Sequence, residues 1–189
     1  MKEENPESIL FYRLGDFYEM FFEDAKLVSQ ELDLVLTGRS AGVEEKVPMC
    51  GIPFHAANSY IQRLVKKGYK VAICEQLEDP SSAKGLVDRG IIKIITPGTY
   101  MDATMDAKST NYMASCDVSS FEITVIYCEL STGELKYQTL QRSLVALQKA
   151  LLEQNVSELV CPMTMDKKWM AALEEMDTML ISKHKKGKY

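Results

Sequence analysis

The chain has 189 residues, enough for one or two domains, and with 46% hydrophobic and 26% charged residues it can bury a core and does not have a disordered composition. Its formal net charge is −5, and residues 1–100 alone carry 12 Lys and Arg against 15 Asp and Glu, which excludes a domain that grips nucleic acid through overall positive charge and leaves room only for local patches. The five cysteines are odd in number and lack C-x-x-C spacing, which disfavours a disulfide framework or a zinc site and suits a reduced cytoplasm; there is no run of about 18 apolar residues and the start MKEENPES has no signal-peptide pattern.

Residues 9–14, ILFYRL, are rich in β-formers and predict a buried strand leading into RLGDFYEMFFEDA. If that stretch stays extended, Phe17 and Glu19, two apart, project together from one face, an aromatic ring beside a carboxylate. A second reading is open on the residues alone: Asp16-x-x-Glu19 is also a capping-box pattern, which would start a helix and place Phe17 in the core. Residues 21–34 carry apolar positions at Phe21, Ala25, Val28 and Leu32, a helical spacing. Residues 34–37 read as a short strand and residues 38–46 as a polar loop containing Arg39. PMCGIPF, residues 48–54, packs two prolines and a glycine among apolar residues, which on its own indicates an edge strand or tight turn with room at Gly51 for another backbone.

His55 opens a helix running to about Lys67, with Ile61, Leu64 and Val65 as its apolar face and Gly68 as its stop. Residues 71–74 predict a central strand, residues 78–82 a turn, residues 84–89 about one helical turn and residues 91–96 another buried strand closed by Pro97-Gly98. The apolar pattern then lapses, which puts a domain boundary at residues 101–111, between a first domain at 1–100 and a second at 112–189. The second domain reads as strands at 112–118, 121–130 and 134–139 with Ser131-Thr132-Gly133 as a hairpin turn, a helix at 144–152, a strand at 159–161, a helix at 169–176 and a strand at 179–182. Interleaved strands and helices make both domains α/β. Asp117 and Glu129 are the candidate carboxylates in the early strands for a metal-dependent nuclease, too few for such a site. The final HKKGKY is basic but short, and reads as a cut end. No G-x-x-x-x-G-K-[ST] occurs, so no P-loop is expected and the segment is expected not to be an enzyme.

Phe-x-Glu within GDFYEMF resembles the mismatch-reading motif of the bacterial MutS family of DNA mismatch-repair proteins. The resemblance continues in order through LDLVLTGR, VPMCGIPFHAANSYI, KVAICEQLEDP and IITPGT, over about residues 8–100, and weakens beyond. It implies a mixed-sheet mismatch-recognition domain followed by the start of a ribonuclease-H-like connector domain, which the order βββαβαβ also resembles. It implies that Phe17 inserts beside a mispaired or unpaired base while Glu19 hydrogen-bonds that base, and that the loop carrying Met49, Gly51 and Pro53 lies near the minor groove, with Arg39 and His55 as further candidate DNA contacts. The implied partners are double-stranded DNA with mismatches or small unpaired loops and a MutL-type protein. The family's ATP and Mg sites, its clamps and its homodimer contacts lie in downstream regions, and its place is the bacterial cytoplasm at the nucleoid.

Two rivals belong to other classes. One is a protein-interaction module using Phe17 as an apolar contact; the other is a nuclease holding a divalent metal on Asp16, Glu19 and Glu23.

Overall fold

The run SILFYRL forms strand β1, Ser8–Leu14, whose alternate residues Ile9 and Phe11 are buried, as the pleat requires. This is a computed structural model describing residues 1–39, 46–77, 88–101 and 110–184, which fall into two units, Met1–Thr96 and Pro97–Tyr189. In the first unit β1 is followed by β2 (Phe17–Phe21), α1 (Phe22–Leu32), β3 (Thr37–Arg39), β4 (Val47–Pro53), a 3-10 turn (Phe54–Ala56), α2 (Ala57–Lys66), β5 (Lys70–Gln76) and β6 (Arg89–Ile95). The six strands make one mixed sheet in the order β3-β4-β2-β1-β5-β6, with β1 and β5 parallel and every other pair antiparallel.

The helices follow their apolar periodicity. α1 buries Ala25, Val28 and Leu32 and packs on β2 and β4; α2 buries Ile61, Leu64 and Val65 and packs on β5. Glu23 and Asp24 in the first turn of α1 suit the positive end of its dipole, and Asp24 also accepts a 3.0 Å bond from the Leu10 amide, tying the helix start to β1. Gly68, with φ +87°, ends α2 as expected: its amide bonds to Val65 O at 3.0 Å in a conformation that costs other residues strain.

Several expectations shift. The strand expected at 34–37 begins only at Thr37, because Asp33 takes a left-handed conformation to close α1 and Leu34 N still bonds to Ser29 O, so the chain must leave the helix before it can pair. Arg39 is therefore the last residue of β3 rather than part of a loop. The loop expected to carry Met49, Gly51 and Pro53 is strand β4, paired on both sides; its prolines are tolerated because they sit next to its ends. The strand expected as buried at 91–96 is the sheet-edge strand β6, with Ile92 and Ile94 exposed. The expected turn at 78–82 and most of the helical turn at 84–89 lie outside the described residues, as do 102–109 of the expected linker and the last five residues.

The second unit runs β7 (Tyr112–Val118), β8 (Glu122–Glu129), β9 (Glu134–Gln141), α3 (Leu144–Glu153), β10 (Val156–Pro162), α4 (Lys167–Glu174) and β11 (Leu180–His184). Its sheet has the order β11-β10-β7-β8-β9, an antiparallel meander β7-β8-β9 continued by two parallel strands. The core joins Tyr112, Ile123, Val125, Tyr127, Leu147, Leu151, Leu159 and Leu173. The division falls at 96/97 rather than after residue 100, since the Pro97-Gly98 corner bonds into this unit. Gly98 N donates to buried Glu158 at 3.1 Å, a Cβ at Gly98 would stand 2.8 Å from the Glu158 Cβ, and Asn111 Nδ2 donates to Pro97 O at 2.8 Å. Among the described residues no helix is long and apolar enough to cross a membrane.

Candidate nucleic-acid interface

The site is built on the pleat of β2. Tyr18 and Met20 are buried against the helices, so Phe17, Glu19 and Phe21 must face the other way. The helix-capping alternative at Asp16 is thereby excluded, for the chain is extended from Phe17 and α1 begins only at Phe22. Phe17 directly follows a two-residue connection, Gly15-Asp16, whose first position has φ +56°, a conformation glycine adopts without strain. Phe17 is 48% exposed. Glu19 is half-buried on the same face.

The register of β4 completes the face. Cys50 and Ile52 point into the core, and Pro53, Gly51 and Met49 stand directly opposite Phe17, Glu19 and Phe21. A Cβ at Gly51 would lie 3.5 Å from the Glu19 Cγ, ordinary contact, so the bare glycine leaves an open approach beside the carboxylate. His55 follows in the exposed 3-10 turn, edge-on to Phe54 with ring centroids 5.9 Å apart. Arg39 is set apart: its register partner is Val47, six residues along β4 from Pro53, roughly 20 Å at strand rise. The structure thus gathers Phe17, Glu19, Met49, Gly51 and Pro53 on one face, puts His55 next to it, and leaves Arg39 at the far end of β4.

Behind the face lies a polar cluster. Tyr18 donates to Glu75, and burial together with that carboxylate pushes the phenol up to about 12. Arg13 lies 3.6 Å from Glu75 and stacks its guanidinium 3.8 Å from the centre of the Phe54 ring. Sequence reasoning passed over both Arg13 and Phe54, 41 positions apart; the aromatic just after PMCGIP was the only signal. A groove of about 480 Å³ lined by Leu10, Tyr12, Phe21 and Phe22 adjoins the face, since Tyr12 is the β1 partner of Glu19.

The carboxylates of the nuclease reading do not converge. Glu23 pairs with Lys26 at 2.7 Å, and among the described residues no group of three His, Cys, Asp or Glu is placed to hold a metal. In the second unit Asp117 lies opposite Thr124 while Glu129 lies opposite Tyr112, five residues or about 17 Å along the strand. Glu129 instead caps its own hairpin, accepting from the amides and hydroxyls of Ser131 and Thr132, which hold its carboxyl down at about 2.

An α/β domain displaying an aromatic and a carboxylate side by side on one sheet face is the class of protein these observations define. The family model described as MutS domain I matches residues 1–104, and the chain belongs to the MutS family. It is 52% identical over 168 residues to the DNA mismatch repair protein MutS of Clostridium botulinum (strain Loch Maree / Type A3), an alignment covering 84% of this chain and 18% of that protein. It is 53% identical over 167 residues to the DNA mismatch repair protein MutS of Clostridium beijerinckii, covering 83% and 18%. The chain therefore spans about a fifth of the length of these relatives.

Proposed function

We propose that this chain is the mismatch-recognition module of a MutS-type repair protein, with Phe17 as a wedge and Glu19 as its discriminating neighbour. The observation that carries the reading is the exposure of the Phe17 ring beside Glu19 on one sheet face. A paired duplex resists intercalation because stacking must be given up, at a few kcal/mol per step. A mispaired or unpaired base has already lost part of that stabilisation, so a ring contributing about 1–3 kcal/mol of stacking discriminates by deformability rather than base identity. Glu19 accepts a hydrogen bond from an imino N–H that mispairing leaves free; a normal pair uses its imino N–H in the pairing and offers the carboxylate no such donor. Met49, Gly51 and Pro53 form the floor against which the minor groove sits, with His55 and Arg39 as outlying phosphate contacts.

The second unit is the start of a ribonuclease-H-like connector. What supports this is its order of three antiparallel strands followed by two parallel ones, each reached through a helix. We place ATP and Mg binding, the homodimer contacts and the encounter with a MutL-type partner in the longer protein, at the bacterial nucleoid in the cytoplasm, and assign this chain no catalytic step.

The test is a fluorescence anisotropy titration of the chain with three labelled duplexes: matched, mismatched, and with one unpaired base. The two defective duplexes should bind more tightly than the matched one. With a net charge of −5 and few phosphate contacts, binding should be weak and its salt dependence shallow. Equal affinity for all three would overturn the reading, and tight capture of a protein with no DNA preference would favour the interaction-module alternative.

A further inference from the structure

We infer that Arg13 is a positioning residue for the Phe17 wedge, acting as a clamp on the turn that presents it; this rests on the mismatch reading above. The Gly15-Asp16 turn is two residues long and exposed, and left to itself such a turn samples many conformations. Here it is held from both sides by groups outside it. Arg13 Nε donates to Gly15 O at 2.5 Å, and Phe54 N donates to Asp16 O at 2.9 Å.

The two holders are joined to each other. The Arg13 guanidinium lies 3.8 Å from the Phe54 ring centre and 5.6 Å from that of Tyr18, with Glu75 3.6 Å away and the Tyr18 hydroxyl bonded to the same carboxylate. The Arg13 side chain is only 17% exposed. A planar cation packed between rings is held more rigidly than an ammonium on a flexible stem. One side chain thus links β1, the turn and the residue that follows β4, and the residue directly after the turn is Phe17.

A wedge offsets unstacking only if it does not first have to be ordered, because fixing a residue's backbone costs conformational entropy that the stacking would otherwise have to make up. Lysine cannot take over the role: where arginine has its Nε–H, lysine has a methylene, and it has no plane to stack.

The experiment uses the full chain and two readouts. Without DNA, ¹⁵N relaxation should show Asp16 and Phe17 as rigid as the flanking strands, with order parameters near 0.85, falling below about 0.6 in Arg13→Lys while β1 and β4 keep theirs. With DNA, Arg13→Lys and, independently, Phe54→Leu should each lower the preference for mismatched over matched duplex by roughly tenfold, about 1.4 kcal/mol. In a Phe17→Ala background neither substitution should change the preference further. Unchanged order parameters in Arg13→Lys, or an equal loss of preference with and without Phe17, would overturn the inference. If Phe17→Ala itself leaves the preference intact, it is the wedge reading that falls first, and the clamp's function with it.

Discussion

Replacing Phe17 by alanine separates a wedge from a core residue, because the two roles load different measurements. A Phe side chain that goes from exposed to buried removes roughly 200 Å² from water. Phe17 is 48% exposed, so about half of that is at stake, or about 2.5 kcal/mol at ~25 cal/mol per Å². Compactness of the unfolded chain lowers this by about 10–40%, leaving about 1.5–2.3 kcal/mol of folding stability, against about 3–5 kcal/mol for truncating a fully buried phenylalanine. Mismatch binding should meanwhile fall by about 1–3 kcal/mol, roughly 5- to 150-fold, toward the level of matched duplex, since the ring that offsets unstacking is gone. The assays are urea denaturation of the chain and the paired duplex titration, the latter repeated with the chain joined to the downstream regions of a full-length relative. A variant that loses 3 kcal/mol or more of stability yet still prefers mismatches would return Phe17 to the core and refute the assignment.

Glu19→Ala should act in the opposite sense on matched DNA: binding to the matched duplex holds or rises as the repulsion from phosphates is relieved, while the preference for a mismatch shrinks, both read in the same titration. Gly51→Ala should leave the melting temperature nearly unchanged, because its Cβ meets Glu19 Cγ at an ordinary 3.5 Å, whereas Gly51→Val should lower mismatch affinity by filling the approach beside the carboxylate. Glu129 has a folded-state carboxyl near 2, below the ordinary value of about 4.3, so its contribution is fully present above about pH 4.3 and is lost as pH falls toward 2; Glu129→Gln should flatten that acid limb in a plot of melting temperature against pH. Tyr18, raised to about 12, titrates above its ordinary value of about 10, so the unfolded chain loses the proton first and stability should fall between pH 10 and 12; in Tyr18→Phe that alkaline loss should be smaller, as followed by denaturant midpoints across this range.

Features that depend on near neighbours were legible in the amino-acid order. The alternation through FYEMF put Phe17 and Glu19 on one side of any strand they formed, the spacing of Ala25, Val28 and Leu32 made α1, and Gly68 marked the end of α2, because each is set by a backbone period or a single residue's φ. Which side of β2 faces water is a different kind of fact. It was decided only when α1 packed against the Tyr18 and Met20 side, and the choice between strand and capped helix at Asp16 was decided with it. Residues 48–53 show the same division: their prolines and glycine read locally as a turn or edge, yet pairing to β3 and β2 makes them an interior strand and sets Gly51 against Glu19. The Arg13–Phe54 stack lies wholly on the tertiary side, since a contact between residues 41 positions apart exists only once β1, β2 and β4 have chosen their register, and no local pattern in either stretch encodes that choice.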